Sequence, residues 1–244
     1  MLSFLRKIRK KEIKSARYLK YAIGEIVLVV IGILIAVQIN NLNQSLKNKK
    51  EESFYLLKLR ENLQEDLRNI EIKKAQAQRV LGQIEIIIAE SRDSEIDSFS
   101  VKPTDAMIGL AGMVSQTATW ENLKSTGKLS LLQNQMLIDS LYNYYNYYDN
   151  SVIGIIDGLR HYTRETVTPF LIQFDDISIQ STVEYYPETP AHAKKPVDYS
   201  NSRGFRNIAR LRILLLTALI ERYNEFERLN KGILALIDAE LNTD

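Results

Sequence analysis

The sequence predicts an all-α protein: an N-terminal transmembrane helix followed by an elongated antiparallel helical bundle with heptad-like packing. Three observations carry this. From Ala22 to Leu46 the only charged residue is Glu25, and the 20 residues from Ile23 to Leu42 rise roughly 30 Å as a helix, the thickness of a bilayer's hydrocarbon core. Three later stretches repeat apolar residues at alternating steps of three and four, the mark of a buried helical face. Glycine and proline are sparse, at 10 and 5 of 244 residues, which disfavours an all-β fold built on tight turns. The chain divides into a basic juxtamembrane segment (1–20), a transmembrane helix (21–42) and a helical bundle domain (43–244).

Residues 1–20 hold Arg6, Lys7, Arg9, Lys10, Lys11, Lys14, Arg17 and Lys20 against one acid, Glu12, a net +7, so the remainder sums to −5. A basic end abutting an apolar span places the N-terminus in the cytoplasm and the bulk of the chain across the membrane. Leu2, Leu5, Ile8 and Ile13 can share one side of a helix lying on anionic lipid. The basic excess is accounted for by a membrane surface, so no nucleic-acid partner is expected. No small-x-small cleavage site follows the apolar run at Gln38-Ile39-Asn40-Asn41, so an uncleaved signal anchor is expected.

Within the span, Glu25, Val29, Gly32 and Ala36, with Ile39, fall on one side. Gly32 and Ala36 form a small-xxx-small pair that lets two helices approach closely. An acid in the apolar zone normally faces protein, or snorkels to the headgroups. These four residues are the candidate helix-association face. A homo-oligomer through this helix is the expected partnership, with membrane lipid and another envelope protein as the further candidate partners.

The segment YAIGEIVLVVIGILIAVQINN after a basic start resembles that of an uncharacterised family of Bacteroidota membrane proteins, with one N-terminal span and a helical remainder. Thr119 to Leu132, TWENLKSTGKLSLL, resembles the family's second recurrent segment. The resemblance implies topology and lineage; no activity comes with it. A Gram-negative host would make the anchor an inner-membrane one and the outer compartment the periplasm.

From Lys47 to Glu90 the chain reads as one long helix, with Leu63, Leu67, Ile70, Lys74, Ala77, Leu81, Ile84 and Ile88 as its heptad stripe. It either continues the span as a rod up to roughly 100 Å long or breaks near Asn40–Asn43, since Asn is a poor helix former. Ser91 to Thr104 is polar and reads as a loop. Short helices follow and end near Thr126-Gly127, where Gly suits a helix C-cap. Residues 130–174 read as a second long helix, with Leu141, Tyr145, Tyr148, Val152, Ile155, Leu159 and Tyr162 as its stripe. Asp175 to Ser202 holds three prolines within ten residues, which precludes a helix there. Residues 203–242 form the last helix, with Ile208, Leu211, Leu215, Leu219, Phe226, Leu229, Ile233 and Leu236 inward. Its apolar run Ile213 to Ile220 is too short to span a membrane.

Trp120, the only tryptophan, reads as a core anchor or as a platform for a ligand or partner, with Glu121 and Asn122 beside it. The run Tyr142 to Tyr148 puts tyrosines all round its helix, so Tyr144 and Tyr147 join Trp120 as possible ligand or partner contacts. Asp157, His161 and Glu165 share a helix face, yet charges alternate there with Arg160 and Arg164 as on a salt-bridged surface; no metal and no cofactor is expected. With no cysteine and no HExxH, thiolate and HExxH zinc-protease chemistries have no residues to run on. With only two histidines, one in a predicted loop, and no Gly-x-Ser-x-Gly elbow or Gly-rich phosphate loop, no Ser-His-Asp triad is expected. The expectation is a non-enzymatic membrane-anchored module that oligomerises or binds a partner in the cell envelope. A periplasmic ligand-sensing bundle acting through a partner is the second reading, and an enzyme on envelope polymer the third.

Overall fold

A computed structural model describes residues 2–109, 112–174 and 196–242. The side chains of residues 1–20 lie outside those described, as does the proline-rich stretch 175–195. Every described element is helical, and no strand occurs among the described residues. The chain forms two compact units, Met1–Phe54 and Tyr55–Asp244.

The first unit is the N-terminal part of helix α1 (Leu2–Glu90), which passes through Asn40–Asn43 without a break. No proline interrupts it, and the asparagines there lower helix propensity by only a few tenths of a kcal/mol each.

In the second unit the chain runs up, down, up and down. Residues 55–90 of α1 rise. The chain then descends through α2 (Pro103–Ile108), non-helical residues 112–117 and α3 (Ala118–Ser125), then a 3₁₀ turn, Lys128–Leu131. The second ascent is α4 (Gln135–Tyr147), α5 (Ile153–Tyr162) and α6 (Thr168–Phe174), joined by π turns at Tyr148–Val152 and Thr163–Val167. The final descent is α7 (Pro196–Asn201) and α8 (Arg203–Leu241). Cross-contacts fix the directions. Along α1, Arg60 pairs with Asp238 at 3.0 Å and Lys74 with Glu227, so α1 and α8 are antiparallel. Asn134 reaches Glu240 at 2.6 Å while Tyr162 reaches the Ile208 carbonyl at 2.7 Å, so α4–α6 also run against α8.

Local chemistry sets the ends of these helices. Asn134 and Ser202 cap α4 and α8, accepting from the amides of Leu137 and Phe205, as N-cap side chains do. Beyond α3, Gly127 turns the chain at φ +70°, in the left-handed region that glycine enters without a Cβ penalty.

The heptad stripes hold in outline and shift in phase. On α1, Leu63, Ile70, Ala77 and Ile84 are fully buried, but Leu67, Lys74, Leu81 and Ile88 are only half-buried. The second buried row is instead Leu59, Asp66 and Ile87. Along the second ascent, Ile156 is buried and Ile155 half-buried, because the π turn at Tyr148–Val152 adds a residue and rotates the inward face. The five-residue step between buried Tyr162 and Val167 falls on the second π turn. On α8, Leu211 is 42 % exposed while Arg212 is fully buried beside it. The prolines of 175–202 do not exclude helix throughout: Pro196 opens α7, where its fixed φ suits the first turn. Tyr199 of α7 packs edge-on between Phe99 and Phe205.

Replacing Gly127 by Ala is expected to lower stability by about 1 kcal/mol, because its φ is strained for any residue with a Cβ. Replacement by Asn should cost less. Thermal unfolding of the full chain in detergent reads the difference; an unchanged midpoint in Gly127→Ala would refute the strain.

Candidate functional site

The proposed association face lies on a stretch of α1 that no described residue covers. Every described side chain from Tyr21 to Lys50 is exposed. A Cβ built on Gly32 meets nothing within 4 Å. Glu25, Val29, Gly32 and Ala36 are all open to whatever surrounds the helix.

The aromatic candidates have a different setting. Trp120 is 2 % exposed. Its ring stacks on Tyr145 at 5.2 Å and 10° and meets Tyr142 edge-on at 4.7 Å. Tyr144 is fully buried and stacks on Phe226 of α8 at 4.3 Å and 12°. Tyr147 is half-buried and lies against the same ring at 6.3 Å. Three tyrosines of the run, Tyr144, Tyr145 and Tyr148, fit inside together because α4 has neighbours on two sides, Trp120 of α3 and Phe226 of α8. Glu121 and Asn122 are exposed. Glu121 pairs with Lys124 at 2.8 Å, and the Asn122 side-chain oxygen accepts from the Tyr55 hydroxyl at 3.2 Å.

The densest chemistry is a buried polar seam along the non-helical residues 112–117 that precede α3. A non-helical backbone inside a helical bundle has no ladder to satisfy its amides and carbonyls, so side chains must do so. Asp66 of α1, 0 % exposed, takes the Gln116 amide on Oδ1 at 2.8 Å. Its Oδ2 accepts from the Ser115 hydroxyl and, at 2.9 Å, from the Tyr144 hydroxyl. The Ser115 amide donates to the Tyr148 hydroxyl at 3.1 Å. That hydroxyl donates to the Met113 carbonyl at 3.4 Å. Tyr145 donates to the Gln116 carbonyl at 3.3 Å. Asn230 of α8, also fully buried, extends the seam: its amide nitrogen donates to the Leu63 carbonyl at 2.9 Å and to Tyr144 at 3.1 Å. Burial lifts the Asp66 carboxyl above the usual carboxylate range, against the pull of its three donors. Burial, reinforced by the Asp66 charge, pushes the Tyr144 and Tyr145 hydroxyls far up, so both stay protonated as donors.

Arg212 serves the same stretch at its other end. Its guanidinium donates to the Gly109 carbonyl and, at 2.6 Å, to the Thr163 hydroxyl in the second π turn. Burial lowers its pKa to about 10, which leaves it charged at neutral pH. Among the described residues no group of three or more metal-ligating side chains converges. Asp157 pairs instead with Arg160 at 2.9 Å and Glu165 with Arg164 at 2.7 Å. A shallow groove of about 260 Å³ runs between α4 and α8, lined by Ser140, Asn143, Arg228, Gly232 and apolar neighbours. The arrangement of Asp66, Tyr144, Tyr148 and Arg212 can hold a backbone in place; every oxygen of Asp66 is already occupied by this chain.

Sequence reasoning missed Asp66, Arg212 and Asn230. The signal was present as spacing: Leu56, Leu59, Leu63, Asp66 and Ile70 step 3-4-3-4, and Phe226, Asn230, Ile233 and Ile237 step 4-3-4. A stripe counted on apolar residues alone walks around the polar member.

The chain belongs to a family of unknown function (DUF6090), whose model matches residues 25–158. The match covers most of the apolar stretch, Asp66, the extended segment and Tyr144 to Tyr148; Arg212 and Asn230 lie beyond it. No curated protein and no solved structure matches the chain.

Asp66→Ala is expected to destabilise the bundle by about 3 kcal/mol or more, since it orphans three buried donors. Asp66→Asn should be far milder, because the Ser115 and Tyr144 hydroxyls can turn round and accept. The pH dependence has a defined sign. A carboxyl raised in the folded state stabilises most below its unfolded value of about 3.9 and loses that contribution as pH rises through the folded value. Relative to wild type, Asp66→Asn should therefore unfold at a higher temperature at pH 7 than it does at pH 4. A constant offset across that range would contradict the burial of the charge.

Proposed function

We propose that this member of a family of unknown function is a non-enzymatic, single-pass membrane-anchored module. Its N-terminus is cytoplasmic and its bundle periplasmic, and it associates with copies of itself or an envelope partner through Glu25, Val29, Gly32 and Ala36. The observation that carries the reading is the bare stretch from Ile23 to Leu42. It is long and apolar enough to cross a membrane, and the described residues cover none of it. Ile26, Leu28 and Ile33 are among its side chains more than half exposed. In water this would be an apolar surface far larger than soluble domains expose; in lipid it needs no cover. The flanking +7 segment supports the inward N-terminus. Supporting a non-enzymatic role, the carboxylate most perturbed by burial is fully engaged with this chain's own Ser115, Gln116 and Tyr144.

The absence of cysteine makes the topology directly testable. Single cysteines at Ser3 and Ser130 are introduced, and intact cells are treated with a membrane-impermeant maleimide that passes the outer membrane. Residue 130 should label in intact cells and residue 3 only after lysis. The reverse pattern, or labelling of both in intact cells, would sink the orientation. Gly32→Leu should shift the protein in mild detergent from an oligomer to a monomer; an unchanged oligomer would remove this face from the interface.

A further inference from the structure

Glu25 and Asn43 are eighteen residues apart, about five full turns, so they lie on one line along α1. Between them the line carries Val29, Gly32, Ala36 and Ile39 in steps of 4-3-4-3-4; one more step of three reaches Leu46. With Val29 and Ala36 at heptad position a, Asn43 also falls at a and Leu46 at d. Val29, Ile39 and Leu46 are 55 %, 61 % and 60 % exposed. Leu46 lies four residues past the apolar span, about 6 Å further along the helix axis, where hydrocarbon tails no longer account for an exposed leucine. The face carries no charge between Glu25 and Lys50.

We propose that the pairing face runs unbroken from Glu25 to Leu46 and that Asn43 sets the register of a parallel pair of α1 helices from two copies of this chain. The inference rests on the membrane-span reading above. Two copies inserted in the same orientation present this face at the same depth, parallel and in register, which makes a second copy the fitting occupant. Asparagine at an a position opposite its own copy forms a hydrogen bond across the pair, and leucine at d favours two parallel strands. The asparagine restricts oligomer state at a cost in stability, because a shifted or larger assembly leaves it unpaired. Lys47, Lys49 and Lys50 follow directly, and their like charges end the close pairing there.

A cysteine scan of the full-length protein in bilayers tests this, using copper-phenanthroline oxidation at high lipid-to-protein ratio. Disulfide-linked dimer should form several-fold more at residues 29, 36, 39, 43 and 46 than at the opposite-side residues 34, 41, 45 and 48. Crosslinking at 29 and 36 without 43 and 46 would overturn this inference while leaving the membrane face intact. No crosslinking anywhere would overturn both, and equal crosslinking on all sides would overturn a fixed face. Asn43→Leu should keep the crosslink at residue 36 but add species larger than a dimer. Unchanged stoichiometry and register in that variant would remove Asn43 from its role.

Discussion

The bundle depends on one constraint: a non-helical stretch, described at Gly109 and residues 112–117, lies among helices and must find partners for its peptide groups. Helices satisfy their own amides, and a lone extended strand cannot. Asp66, Tyr145, Tyr148 and Arg212 answer this need. Asp66 and Tyr148 take the two amides of Ser115 and Gln116. Tyr145, Tyr148 and Arg212 supply donors to three carbonyls. Without them, burying that stretch would leave several peptide groups unpaired, each costing about 1–3 kcal/mol.

That constraint explains why core positions of three helices hold Asp66, Tyr148 and Arg212 where apolar residues would otherwise pack. Partner requirements also give the seam directionality. A leucine stripe tolerates sliding by a turn, whereas Asp66 meets Ser115, Gln116 and Tyr144 in only one alignment of α1 and α4. Asn230 then ties α8 to the same level through Leu63 and Tyr144. The π turns serve the same geometry, since the second one carries Thr163, which holds the Arg212 guanidinium.

Much of this fold was legible in the sequence. The helix spans followed from the 3-4 steps and from Gly127 past the end of α3, while the caps Asn134 and Ser202 emerged only from the structure. The apolar stretch announced itself by length. The phase of the stripes was less legible, because Leu67 and Leu211 look like core residues and Asp66 and Arg212 do not. Which face turns inward is decided by tertiary neighbours, here an extended segment whose demand for hydrogen bonds cannot be seen in any single helix. Trp120 was readable as an anchor; that Tyr144 would be wholly enclosed depended on Phe226, over eighty residues later. From Glu25 to Ala36 every described side chain is exposed, so no tertiary neighbour among the described residues shifts the phase there.

The seam also dictates an order of assembly. Asp66 and Ser115 are 49 residues apart, Gly109 and Arg212 are 103, and Leu63 and Asn230 are 167. As the chain is synthesised, the extended stretch emerges before Tyr145, Tyr148 and Arg212 exist. Its peptide groups must stay hydrated until α4 and then α8 arrive, so the segment cannot dock early as a local unit. Closure of the bundle is thus a late, long-range event of the kind that slows folding. Until then α1 waits with Asp66 in water, ionised and readily solvated, and the charge goes inside only when its three donors come with it.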